Sequence, residues 1–184
     1  QFIHHLGRTH LAMEPFAVAH HNSFPEGHIL GDMLKPHFHD TIGINYLARR
    51  TLVSPVIPFT DRTFAPGTAG ALKLFLSAWK NYDFEKSSFP NQLAERGFDE
   101  AGSDGVEGYY YRDDGFKIWN ALTEYVEGVV HASYADDASV LNDSVIQNWA
   151  EESADTERAA IPGFPNAIEN KEKLISILTN IMFN

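Results

Sequence analysis

Residues 5–19 read His5-Leu6-Gly7-Arg8-Thr9-His10-Leu11-Ala12-Met13-Glu14-Pro15-Phe16-Ala17-Val18-Ala19, a helical pattern with two histidines five positions apart. Five residues of a regular α-helix turn through about 500°, so the side chains of His5 and His10 would diverge by about 140°. A π-type widening, in which each N–H bonds the carbonyl five residues back, returns such residues to one face, and it is concentrated at functional sites. A metal ion shared by His5 and His10 therefore requires a π distortion between them, and we expect one there.

The composition restricts the classes of protein to which the chain can belong. Its 184 residues are 43% hydrophobic, which is enough for one domain with a sizeable core. The absence of cysteine excludes disulfides and thiolate metal sites. With 25 acidic and 14 basic residues the net charge is −11, so a nucleic-acid partner is not expected. No apolar run approaches the roughly 18 residues of a membrane span, so no transmembrane segment is predicted.

Apolar residues recur at helical spacing through most of the chain, and no alternating strand pattern of useful length occurs, so the predicted fold class is mainly α. The first predicted helix covers 2–20, with a kink about one turn before Pro15. Further helices are predicted over 30–34, 40–53, 68–82, 92–96, 114–134 and 143–152, and a last helix begins after Asn170 as its N-cap. We expect the Asp113-Asp114 pair to cap the helix over 114–134.

Two of these helices carry a stripe that we expect to face the core. In the helix over 68–82 the stripe consists of Leu72, Phe75, Leu76 and Trp79. In the helix over 114–134 it consists of Ile118, Leu122, Tyr125, Val126 and Val129. Both stripes follow the spacing of a single helix face, which predicts burial against other helices.

The segment from His5 to Ala19 resembles the iron-site signature of lipoxygenases, in which His, four residues, His, three residues and Glu-Pro lie on a long central helix. Further elements of that family follow at matching spacing along essentially the whole chain: Leu34-Lys35-Pro36-His37-Phe38, Thr41, Ile44-Asn45, Ala48-Arg49, Phe89-Pro90, Arg96-Gly97, Tyr109 to Gly115, Ile118-Trp119, Asp143, Gln147 and Trp149. The chain looks most similar to the compact bacterial or fungal members.

The resemblance implies a fold and an activity. Residues 1–184 would form part of a single helical catalytic domain with long irregular loops. Because Gln1 opens within one helical pattern and Asn184 closes within another, we expect this part to be cut at both ends. Lipoxygenases contain a non-haem iron (manganese in some fungi) and insert O2 into polyunsaturated fatty acids to give conjugated hydroperoxides. The implied partners are therefore a polyunsaturated fatty acid, O2 and the remainder of the same catalytic domain.

The resemblance also implies roles for four residues. His5 and His10 match two metal ligands of the family. Ala48 matches a position beside the oxygen-access route, where Ala accompanies S-configured hydroperoxides and Gly accompanies R, and Leu52 matches a leucine that packs on the reactive pentadiene. The other family ligands are a third His, an Asn and the carboxylate of a C-terminal Ile, and they have no counterpart here. We therefore expect the 184 residues alone to be inactive.

Interpretations from two other classes remain open at this level. The spacing of His5, His10 and Glu14 permits a zinc hydrolase, although no glutamate stands between the histidines as in the zincin motif. A non-catalytic helical interaction domain is the other alternative, since a single helical histidine is more often a surface or core residue than a ligand. Glu14 itself, next to Pro15, is expected to satisfy a backbone group or a basic partner.

Overall fold

The computed structural model describes residues 3–54, 59–99 and 107–184, and these residues form helices and connecting loops without a β-strand. A π-helix (Ile3–Leu11) leads into α1 (Glu14–Ser23), and a 3-10 turn (Lys35–Phe38) follows α2. The other helices are α2 (Ile29–Leu34), α3 (Thr41–Thr51), α4 (Phe59–Thr63), α5 (Gly67–Lys80), α6 (Phe89–Glu95), α7 (Tyr110–Ser133), α8 (Asp137–Leu141), α9 (Ser144–Ala154) and α10 (Lys171–Phe183). The predicted mainly α fold class is confirmed.

The core lies where α7 packs on α10 and α1 packs on α9. Phe16 of α1 and Trp149 of α9 are fully buried, as are Val126 of α7 and Leu174 of α10. The Trp149 ring meets the Phe164 ring edge to face, with the centroids 5.6 Å apart. Burial of each large apolar side chain contributes roughly 1.5–3 kcal/mol. This cluster therefore holds α1, α7, α9 and α10 together.

The sequence did not predict the short helices α4 and α8, and among the predicted helices the clearest boundary error is at the start of α7. This helix begins at Tyr110, four residues before the predicted start, and Asp113 and Asp114 lie inside its first turns. Asp113 pairs with Arg112, and Asp114 pairs with Lys117 at 3.0 Å. The prediction that the two aspartates cap the helix is therefore wrong, although both still place negative charge near its N-terminus, where the helix dipole favours it.

The predicted orientation of two helices also needs correction. Leu72 and Leu76 of α5 are 49% and 62% exposed, and Ile118 and Tyr125 of α7 are 57% and 53% exposed, so these side chains do not face the core. Helical periodicity identifies residues that share a face, but it does not identify the element that covers that face. None of the helices in the described ranges has the length and hydropathy needed to cross a bilayer.

Candidate metal centre

The two histidines lie on a helix segment whose hydrogen bonds follow the π pattern. Residues Ile3–Leu11 form the π-helix, and the Ala12 amide continues its pattern by donating to the Gly7 carbonyl at 2.9 Å. The imidazole centroids of His5 and His10 are 4.9 Å apart, with the rings edge to face at 82°. The predicted distortion is confirmed, and its consequence is that both imidazoles lie on the same side of the helix.

The end of the π-helix is determined by Pro15, the fifth residue after His10. A continued π pattern would require the residue at position 15 to donate its N–H to the His10 carbonyl, and proline has none. The fully buried Asn45 of α3 supplies the missing donor, because its side-chain amide lies 2.7 Å from the His10 oxygen. A turn at residues 12–13 then joins the π-helix to α1, where the kink was predicted.

Glu14, the first residue of α1, forms an ion pair with Arg49 of α3. The Arg49 guanidinium donates to both carboxylate oxygens, at 2.8 Å from Nη2 to Oε1, and the Asn45 amide donates to Oε2 at 3.1 Å. Burial alone would raise the pKa of the Glu14 carboxyl, but the hydrogen bonds from Arg49 and Asn45 outweigh it and leave this pKa below its usual value. The expectation that Glu14 satisfies a basic partner is confirmed.

The Glu14 carboxylate is therefore occupied by Arg49 and Asn45. Across the described ranges, no three His, Asp or Glu side chains are grouped as metal ligands. A zinc site built from His5, His10 and Glu14 is not assembled, so the structure does not favour the zinc-hydrolase alternative. His5 is exposed and His10 is half-buried, so the pair is accessible from solvent.

Ala48 lies on α3 and Leu52 follows its last residue as the C-cap, three and seven positions after Asn45. Residues spaced by three and four positions share a helix face, and Asn45 contacts the His10 carbonyl from that face. Both Ala48 and Leu52 are half-buried. The Leu52 carbonyl accepts a hydrogen bond from Thr60 at the start of α4, which ties the end of α3 to the next helix. The two residues therefore lie on the side of α3 that faces the π-helix.

A second polar cluster, which the sequence did not indicate, joins the ends of α2, α7 and α9. The Tyr134 hydroxyl after α7 donates to the Asp143 carboxylate at 2.6 Å, and the His28 Nε2 lies 3.4 Å from the same oxygen. The other carboxylate oxygen of Asp143 caps α9 by accepting from the amides of Val145 and Ile146.

The charge state of this cluster follows from its geometry. Burial would raise the pKa of the Asp143 carboxyl, but hydrogen bonds from Tyr134, the Ile146 amide and His28 outweigh it, so this pKa is lowered. Burial and the hydrogen bond to Asp143 raise the pKa of the Tyr134 hydroxyl far above its usual value. An ionised Asp143 beside a neutral phenol is therefore the stable state at neutral pH.

Comparisons with known proteins agree on one family. The profile of the family described as Lipoxygenase matches residues 1–184. The chain is 33% identical over 192 residues to Lipoxygenase 1, chloroplastic, of Tanacetum cinerariifolium, covering 100% of this chain and 21% of the relative. It is also 33% identical over 181 residues to the mouse polyunsaturated fatty acid lipoxygenase ALOX8, covering 97% of this chain and 26% of the relative.

Solved structures give the same result for the fold. Coral 8R-lipoxygenase matches with a TM-score of 0.89 at 26% identity, over 99% of this chain and 28% of that one. The fungal lipoxygenase of Fusarium graminearum matches with a TM-score of 0.82 at 30% identity, over 97% of this chain and 28% of that one. The chain therefore spans roughly a quarter of the length of the proteins that it matches.

Proposed function

The chain belongs to the lipoxygenase family, and we propose on this basis that it is a segment of a non-haem iron dioxygenase that inserts O2 into polyunsaturated fatty acids and yields conjugated hydroperoxides. The observation that carries the proposal is the π-helix, which brings the imidazoles of His5 and His10 to 4.9 Å on one side. Two further observations support the assignment of that helix: Asn45 holds the His10 carbonyl, and Arg49 holds Glu14 beside it.

The residues present fit an iron ion as part of its ligand set. Imidazole nitrogens suit iron, and the two rings are close enough to occupy neighbouring coordination positions. The iron, when bound, supplies the redox chemistry between O2 and the fatty acid, while the protein holds and orients the reactants. The chain contributes His5 and His10, and we assign the remaining ligands to parts of the full-length protein outside these 184 residues.

The first experiment tests the two histidines in the full-length protein. His5→Ala and His10→Ala should each lower the bound iron. Loss of a residue that only hydrogen-bonds a metal ligand typically costs about 10–100-fold in metal affinity, and loss of a ligand itself should cost more. His131→Ala is the matched control, since His131 is an exposed histidine on α7. Iron is measured by elemental analysis, conjugated diene by absorbance, and folding by circular dichroism. Folded His5 and His10 variants with normal iron and normal diene formation would refute the assignment.

The same assay applies to the 184 residues produced alone. With two of the proposed ligands present and the others missing, the polypeptide should form little or no conjugated diene from linoleate or arachidonate. Turnover at the rate of the full-length protein would show that other residues of this chain complete the site.

We further propose that Ala48 and Leu52 line the fatty-acid site from α3. Their spacing of three and seven positions from Asn45, on the side of α3 that faces the π-helix, supports this role. A methyl group at position 48 would shield one end of the pentadiene, so O2 would reach the other end from the opposite side. The wild-type product should be S-configured, and Ala48→Gly should shift both position and configuration toward R. Chiral chromatography of the products tests this, and an unchanged product would leave Ala48 with a packing role only.

A further inference from the structure

Two histidines hold one residue of α2 at both of its backbone polar groups. The Gly31 amide donates to Nδ1 of His28, the N-cap of α2, at 3.4 Å. The Gly31 carbonyl oxygen accepts from Nε2 of His20, which belongs to α1, at 2.8 Å. Because His28 accepts at Nδ1 and His20 donates at Nε2, this arrangement requires no proton on Nδ1 of His28 and a proton on Nε2 of His20. Two neutral imidazoles meet both requirements.

Aromatic rings fix both imidazoles beside Gly31. The His20 ring stacks on the Phe24 ring, with the centroids 5.0 Å apart, and it lies 5.3 Å from the Phe38 ring. The Phe24 ring also contacts the His28 ring, at a centroid distance of 5.1 Å. A Cβ on Gly31 would lie 2.9 Å from the Phe24 Cβ, so α2 packs on Phe24 directly through its backbone. The two hydrogen bonds of Gly31 therefore belong to a packed junction between α1 and α2.

The second ring nitrogen of His28 faces an anion on another helix. His28 Nε2 lies 3.4 Å from the Asp143 carboxylate, which also accepts from the Tyr134 hydroxyl. The lowered pKa of the Asp143 carboxyl keeps it ionised through the pH range in which histidines take up a proton. Protonation of His28 would place an N–H at Nδ1, opposite the Gly31 amide, and would add a positive charge that Asp143 attracts. A proton therefore ends the bond from His28 to α2 and strengthens the bond from His28 to the start of α9.

The surroundings of His20 also favour its neutral form. Burial lowers the pKa of His20, the nearby His21 and Lys35 lower it further, and the Gly31 carbonyl and Asp32 oppose the change without reversing it. Because this pKa is lowered on folding, the contribution of His20 to stability is present above its unfolded pKa of about 6.5 and is lost as the pH falls through the folded value. A protonated His20 keeps its donor at Nε2 but becomes a partly buried cation, which is relieved when the junction opens to water.

We propose that His20 and His28 form a pH-sensitive clamp on Gly31, which holds α2 in place when both imidazoles are neutral and releases it when they are protonated. In the released state His28 is held by Asp143, and α2 has lost its N-cap. The segment made of α2 and the 3-10 turn connects α1 to α3, so release loosens this connection while α7, α9 and α10 remain packed. The proposal goes beyond the dioxygenase assignment, because it requires neither a metal nor a substrate.

The test is hydrogen–deuterium exchange of the full-length protein at about pH 7.5 and about pH 5.5, on either side of the ordinary histidine pKa. After correction for intrinsic exchange, amides in 29–34 should exchange about tenfold faster at the lower pH relative to amides in α10, an effect of the size expected for a lost helix cap. A double variant, His20→Gln with His28→Asn, keeps an amide donor and a good N-cap without a titrating group, so its change should stay below about twofold. His131→Gln, at an exposed histidine of α7, is the control and should keep the wild-type response.

Three results would overturn the proposal. The first is unchanged exchange of 29–34 in the wild type at the lower pH, and the second is an equal rise in α10, which would indicate general acid unfolding. The third is a full response in the double variant, which would assign the effect to another group such as His37, whose pKa is also lowered by burial. If circular dichroism shows that the double variant does not fold, each single variant should reduce the response to about threefold, and a full tenfold response in either would also overturn the clamp.

Discussion

Asn45 should control the stability of the π-helix through a single side chain. It is fully buried, and its amide donates to the His10 carbonyl at 2.7 Å and to Glu14 Oε2 at 3.1 Å. Asn45→Leu has a similar volume and removes both donors. The His10 carbonyl then has no replacement donor, because Pro15 has no N–H. The change should therefore loosen the π-helix and α1 more than it disturbs the rest of the domain.

The magnitude follows from the bonds that are lost. An unsatisfied buried carbonyl costs about 1–3 kcal/mol, and a lost hydrogen bond to a charged group costs about 1.5–3 kcal/mol. Two contributions reduce the sum: Glu14 retains Arg49, and the Asn45 Oδ1 atom, which is buried without a partner, disappears with the side chain. We expect a net loss of about 2–4 kcal/mol for local opening of this region, or roughly a thirtyfold to several-hundredfold fall in amide protection.

The assay is hydrogen–deuterium exchange of the full-length protein, with peptides from 3–23 compared with peptides from α9 and α10. Asn45→Asp keeps the shape, removes the donor and sets a second carboxylate beside Glu14, so it should increase exchange at least as much as Asn45→Leu. Asn120→Leu, at an exposed position of α7, is the control. A change below about threefold in 3–23 for both Asn45 variants would refute the idea that this side chain replaces the missing proline donor.

Two further predictions concern packing and pH. A Cβ on Gly115 would lie 2.2 Å from the Phe89 ring, whereas a Cβ on Gly128 meets nothing within 4 Å, although both glycines are in α7. Gly115→Ala should therefore cost about 1–3 kcal/mol by overpacking and lower the unfolding temperature, and Gly128→Ala should raise it through helix propensity worth about 0.5–1 kcal/mol. Because the pKa of Asp143 is lowered on folding, its contribution to stability is present above the unfolded pKa of about 4 and is lost as the pH falls through the folded value. Tyr134→Phe removes one cause of that lowering, so the acid-unfolding midpoint should move to higher pH, and an unmoved midpoint would contradict the role of the Tyr134 hydrogen bond.

The sequence was most informative for the segment from His5 to Pro15, where a few residues determine the local backbone geometry. The spacing of His5 and His10, together with the resemblance of residues 5–19 to a metal-site signature, predicted the π distortion, because the proposed shared metal is incompatible with an ordinary α-helix. Pro15 likewise indicated the kink. The contribution of Asn45 was not predictable, since its hydrogen bond to His10 spans 35 positions and depends on how α3 packs. The contact between His28 and Asp143 spans 115 positions and was hidden for the same reason.

The start of α7 and the exposed face of α5 show what could not be predicted from local sequence patterns. The N-cap of α7 is Tyr109, which forms no side-chain capping bond, so the start of α7 carries no capping signal. The start of α9 was predicted closely because Asp143 is a strong capping residue and accepts two amides. The exposed stripe of α5 shows that apolar periodicity alone does not distinguish a face packed on the core from an exposed face.

The π-helix also has a consequence for the order in which the chain folds. The His10 carbonyl near its end receives the Asn45 hydrogen bond only after α3 has docked, so the register that aligns the two imidazoles depends on tertiary structure as well as on the local sequence. A peptide of residues 3–23 in water would lack the amide of Asn45, and any helix it formed would revert to the ordinary repeat with the histidines about 140° apart. Under the proposed metal assignment, affinity for the metal is coupled to the completion of folding, and a nascent or partly unfolded chain presents two separate imidazoles that have no chelating advantage.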